Sequence, residues 1–155
     1  WTRLSVQKND EIKAAWAKCG LTDFNPDANC LFIASDYLHM GGKNIQTGVI
    51  LPAIGVKAGQ STDVELSMET CANIGGSGVT VTVEITAGPG TVNGDSEKLC
   101  EPMTPAPSWG WTPMSVKLYG ITADTRIVIR STQQGQNGYF RWFLDDIKMT
   151  KIAAE

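Results

Sequence analysis

The chain has 155 residues, enough for one domain with a sizeable core; 42% of them are hydrophobic and 19% charged, which excludes a disordered chain. A net charge of −3 without a basic cluster argues against nucleic acid or an anionic membrane as partner, and no apolar run approaches the ~18 residues of a membrane span. We therefore read 1–155 as a single domain. Because the chain starts at Trp1 without a Met, we expect it to be a fragment of a longer precursor.

Residues 9–20 carry the one helical pattern. Asn9 can serve as N-cap, Asp10 and Glu11 suit the first turn, and Gly20 can end the helix. Ile12, Ala15, Trp16 and Cys19 form one apolar stripe. A single short helix of this kind is expected to plug one open end of a β-sandwich.

From there the pattern is strand and turn. Leu31–Ala34 and Tyr37–Met40 are short strands, Gly41-Gly42 breaks the second, and Ile45–Leu51 precedes Pro52. Asp63–Thr70 alternates, with Val64, Leu66 and Met68 inward and Asp63, Glu65, Ser67 and Glu69 outward. After the loop Gly75-Gly76-Ser77-Gly78, Val79, Val81, Val83 and Ile85 alternate with polar residues. Residues 87–112 read as a long irregular excursion rich in Gly and Pro. Met114, Val116 and Leu118 resume the alternation, followed by Ile127 and Ile129 and a Gly135–Gly138 turn.

The last strand, 139–150, is the longest run of strand-favouring residues and is expected inside a sheet. Period 2 sends Phe140, Trp142, Leu144 and Asp146 to one face and Arg141, Phe143, Asp145, Ile147 and Met149 to the other. Neither face stays apolar, so a bulge or a change of partner is expected near Asp145-Asp146. Phe32, Phe140, Trp142 and Phe143 are expected in the core, and Arg130 and Arg141 in solvent. About eight strands without a βαβ rhythm or internal repeat predict an all-β fold, an antiparallel β-sandwich (jelly roll) with one short N-terminal helix.

The four cysteines, at 19, 30, 71 and 100, match no zinc spacing, and His39 is the only histidine. Disulfides (three connectivities, Cys19–Cys30 the most local) and buried free thiols both stand as readings. No Ser-His-Asp pattern can be built around His39, and adjacent Asp145 and Asp146 would point to opposite faces unless bulged. The paired carboxylates of glycoside hydrolysis need two separated elements. The chain is accordingly expected not to be an enzyme.

Three stretches carry a family resemblance. Asp36-Tyr37-Leu38-His39-Met40-Gly41 leading to Gly48-Val49-Ile50-Leu51-Pro52-Ala53 resembles a "YLK-G … G-ITTPAL" strand pair. Gly120-Ile121-Thr122-Ala123-Asp124-Thr125-Arg126-Ile127 resembles a "G-ATADTKI" link, and Phe143-Leu144-Asp145-Asp146-Ile147-Lys148-Met149 a closing "F-LDDI-V" strand. Together they resemble galactose-binding-like, carbohydrate-binding-module-like jelly rolls of gut-bacterial surface or secreted proteins, over roughly residues 36–150. The motifs are structural in character. The resemblance implies an extracellular or outer-surface location, an association with lipoproteins or glycan-processing systems, and a glycan or protein partner.

It also implies one metal, a structural calcium held by a carboxylate of the last strand, Asp145 or Asp146, with oxygens from the N-terminal segment. Candidate partners lie in Asp23-Phe24-Asn25-Pro26-Asp27-Ala28-Asn29, which is no EF-hand loop because Ala28 and Ala34 stand where Gly and Glu are required. The alternative is that these Asx residues make turns and one Asp of the pair binds backbone.

Trp109-Gly110-Trp111 follows the proline-stiffened Pro102–Pro107 stretch. Aromatic rings stack on the apolar faces of sugars, and rigid loops present them well. Glu101, Gln133, Gln134 and Asn137 are the nearby polar groups expected to fix hydroxyls. The competing reading packs Trp111 over the sheet with Trp109 as its cover. The expected function is a non-catalytic surface module binding carbohydrate through loops at one end of the sandwich. The alternative is an adhesion or spacer domain with a protein partner or no ligand.

Overall fold

The computed structural model describes residues 31–33, 38–40, 48–72, 79–94, 96–108, 110–131 and 142–153, the first two stretches by backbone alone. The helix expected over 9–20 and the loop at 23–29 lie outside them.

Among the described residues nine strands form two antiparallel sheets: β1 (Leu31–Ile33), β2 (Leu38–Met40), β3 (Gly48–Ile50), β4 (Thr62–Ala72), β5 (Val81–Ala87), β6 (Thr91–Val92), β7 (Thr112–Ile121), β8 (Arg126–Ser131) and β9 (Trp142–Lys151). The larger sheet has the order β1-β2-β9-β4-β7-β6 and the smaller the order β3-β8-β5. As expected, the last strand is internal, between β2 and β4.

The excursion after β5 contributes one further sheet partner. Val81 and Met103 exchange backbone hydrogen bonds of 2.8 and 2.9 Å, the Ile85 N–H donates to the Lys98 carbonyl at 2.7 Å, and the Cys100 N–H donates to the Val83 carbonyl at 3.0 Å. Residues 98–103 thus run antiparallel along β5 and extend the smaller sheet. With them included, β2 pairs with β9, β3 with β8, β4 with β7, and β5 with 98–103. Strands β2 to β5 thus meet β9, β8, β7 and the 98–103 segment in turn, which is a long ribbon rolled up into a sandwich. This is the jelly roll.

The core lies between the sheets. Val64, Leu66 and Met68 of β4, Met114, Val116 and Leu118 of β7, and Trp142 and Leu144 of β9 meet Val81, Val83 and Ile85 of β5 and Ile127 and Ile129 of β8. The alternations read from the sequence at 63–70, 79–86 and 114–118 therefore face inward as expected. Cys71 and Cys100 are free thiols, both buried. Burial pushes the Cys71 thiol up to about 11 and raises that of Cys100, against which the Val83 N–H donates a hydrogen bond at 3.1 Å. Cys19 and Cys30 lie outside the described residues.

The "G-ATADTKI"-like stretch is the turn from β7 to β8. Gly120 takes a left-handed φ of 63° and donates its N–H to Asp63 Oδ1 at 2.7 Å. The Thr125 hydroxyl accepts from the Thr122 N–H and donates to the Pro89 carbonyl at 2.7 Å. The hydroxyls of Thr122 and Thr125 and the Arg126 guanidinium all bond to backbone, so their role is structural. Arg130 departs from expectation: it is partly buried in an ion pair of 3.2 Å with Glu84 across β8 and β5.

Candidate functional site

The site is organised by the irregularity expected at the Asp pair. Ser67 of β4 faces Lys148 of β9, and Glu69 faces Asp145. Between these pairs β4 advances two residues and β9 three, so β9 carries one extra residue. Asp146 adopts a φ of 48°, the left-handed conformation of a bulge, and its N–H donates to Asp145 Oδ1 at 2.8 Å. Asp145 thus accepts a backbone N–H.

The bulge shifts the phase of the strand. Trp142 and Leu144 point into the core before it, and Ile147 and Met149 pack against the core after it. Only the extra residue lets both pairs face inward, because an unbulged strand would turn the second pair out. Phe143 is buried as expected, but it faces Cys71 on the outer side of the larger sheet.

On that outer side, Ser67 and Glu69 of β4, Pro113 and Ser115 of β7, and Asp146 and Lys148 of β9 line an open groove of about 670 Å³. It crosses three adjacent strands near the middle of the sheet. Trp111 immediately precedes β7, in phase with Pro113 and Ser115, and is 40% exposed. A proline, hydroxyls, carboxylates and an ammonium are thus brought to one face by three strands far apart in sequence.

The sequence-predicted residues divide into three groups. Asp145 and Asp146 belong to the larger sheet, and Trp111 immediately precedes its strand β7. Glu101 is exposed on the 98–103 segment of the smaller sheet. Trp109 and Asn137 lie outside the described residues, as does Asp23–Asn29. Ser67, Glu69, Ser115 and Lys148 were not among the sequence candidates. Alternation alone marks the first three as outward, but nothing in the local sequence says that they are neighbours. Among the described residues no three His, Cys, Asp or Glu side chains converge as a metal-binding group, and no helix is long and apolar enough to cross a membrane.

No family model and no curated protein matches the chain. Solved structures similar to it do exist. One is described as "CBM4 structure and function" (12% identity, TM-score 0.45, covering 81% of this chain and 77% of that one). Another is the C-terminal domain of EclA, a sugar-binding protein (11%, 0.46, 77% and 81%). A third is the N-terminal cellulose-binding domain of β-1,4-glucanase C from Cellulomonas fimi (15%, 0.46, 81% and 84%). These neighbours are carbohydrate-binding modules. Their identities and TM-scores are too low to assign this chain a ligand.

Proposed function

We propose that this chain is a non-catalytic carbohydrate-binding module of the cell exterior or outer surface, with its glycan lying across the outer face of the larger sheet. The observation that carries the reading is the open groove of about 670 Å³ with the 40%-exposed Trp111 in phase beside it. An indole offers a sugar an apolar face at low entropic cost, while Ser67, Ser115, Glu69 and Asp146 offer acceptors and donors to its hydroxyls. Trp111, immediately before β7, would stand at one end of this surface. No nucleophile or acid/base pair is invoked, because Asp145 is engaged by the backbone of its own bulge.

A calcium ion would use Asp145 or Asp146, with its further oxygens supplied from outside the described residues. A melting temperature higher in calcium than in chelator tests for it, since a ligand of the native state alone must raise stability.

The function itself is tested by titrating the protein with a broad oligosaccharide panel while following tryptophan fluorescence. Binding is expected at micromolar to millimolar Kd, about −4 to −8 kcal/mol, and Trp111→Ala is expected to abolish it in a protein that still folds. If no glycan binds, or binding survives Trp111→Ala, this reading fails. An adhesion or spacer role would then take its place.

A further inference from the structure

Resting on the glycan reading above, we propose that the groove selects its glycan by charge, taking neutral chains and turning away those that carry uronate or sulfate groups. Glu69 and Asp146 line the groove, and Asp145 stands directly opposite Glu69 across β4 and β9. Among the described residues the one cation in the lining is Lys148, which faces Ser67. Three carboxylates against one ammonium leave two net negative charges around a space the size of a short oligosaccharide. Further along the same face Glu65 stands opposite Lys117, a pair of opposite sign that cancels.

Glu69 and Asp145 are half-buried, so water screens them less than it would a fully exposed carboxylate. An anionic sugar on the Pro113–Ser115 side of the groove would lie one strand spacing, about 5 Å, from Glu69, within the Debye length of about 8 Å at physiological salt. Such like-charge contacts are how an interface excludes a wrong partner. The remaining contacts suit an uncharged ligand: an indole face, the Pro113 ring and the hydroxyls of Ser67 and Ser115.

The test is a panel of immobilised neutral hexans, polyuronates and sulfated chains of matched length, probed with the whole chain at 20 mM and 500 mM salt. Neutral chains are expected to bind about tenfold or more tightly than anionic ones at low salt, which is about 1.4 kcal/mol. The preference should shrink at high salt. The double variant Glu69→Gln, Asp146→Asn should lose most of it, and Asn accepts the left-handed φ at 146. Lys148→Gln should widen the preference, which keeps the proposal testable should the double variant not fold. Equal binding of neutral and anionic chains by the unmodified protein, or an unchanged ratio in the folded variants, would overturn charge selection while leaving glycan binding standing. Binding of no chain at all would overturn both.

Discussion

Deleting Asp146 probes the last strand as a regular strand with one inserted residue. Between the pairs Glu69–Asp145 and Ser67–Lys148 the two strands differ in length by one position. Without Asp146 the counts match, Met68 faces Ile147, and Trp142, Leu144, Ile147 and Met149 fall into a single inward alternation. The deletion also removes a non-glycine residue at a φ of 48°. That conformation costs an L-residue about 1–2 kcal/mol, and an Asp less. The loss of the bulge's local twist opposes this gain. We therefore expect the shortened protein to stay within about 1 kcal/mol of the parent, the usual range for a change that leaves the core contacts in place. Deleting Phe143 has no spare residue to absorb it. Either Trp142, fully buried, turns outward, or Leu144, Ile147 and Met149 do. The loss of the Trp alone costs about 3–5 kcal/mol, a large part of the 5–15 kcal/mol that holds a domain together. Urea unfolding followed by tryptophan fluorescence measures both proteins. If removal of Asp146 costs as much as removal of Phe143, the phase argument for β9 is wrong.

The Cys71 thiol keeps its proton to about 11 in the folded protein, whereas an unfolded thiol releases it near 9.0. The folded state thus binds more protons between these values, so stability is complete below pH 9 and falls, by on the order of 2 kcal/mol, as pH rises toward 11. Urea unfolding at pH 8 and pH 10.5 should show the fall, and Cys71→Ala should reduce it, leaving the part due to the Cys100 thiol, which burial also raises. Gly48→Ala would place a Cβ 2.5 Å from the Ile129 carbonyl oxygen and 2.6 Å from Arg130 Cβ. We expect a loss of about 1–3 kcal/mol, with Gly55→Ala, which meets nothing within 4 Å, as the neutral control in thermal melts. Trp111→Ala removes a side chain that is 40% exposed, so its stability cost should be about 1–2 kcal/mol, below that of a core Trp. A cost near that of a core Trp in the same melts would place the ring under the sheet's cover and not at a binding surface.

The sandwich was legible because three strands, at 63–70, 79–86 and 114–118, alternate cleanly, and only a half-buried sheet produces that pattern. The partner strand at 98–103 was not legible. Pro102 interrupts it, and Leu99, Cys100 and Met103 do not alternate. Its place is fixed by backbone hydrogen bonds to Val81, Val83 and Ile85, which no local pattern encodes. Arg130 misled for a related reason. A charge on a strand reads as solvated until a cross-strand partner such as Glu84 is known.

The groove marks where period and register part company. The apolar residues of 139–150 change phase at Asp145-Asp146, and that slip alone calls for a bulge. It does not say which strand lies opposite, and the chemistry of the site depends on that. In an unbulged strand one of these two carboxylates would enter the core, and an unpaired buried charge is costly enough to forbid it. The bulge removes the conflict by holding Asp145 on its neighbour's N–H and leaving Asp146 exposed at the groove. The pairing of β9 with β4, and not its sequence, then sets Asp145 against Glu69 and Lys148 against Ser67. One inserted residue thereby satisfies the core on one side of the sheet and concentrates negative charge on the other.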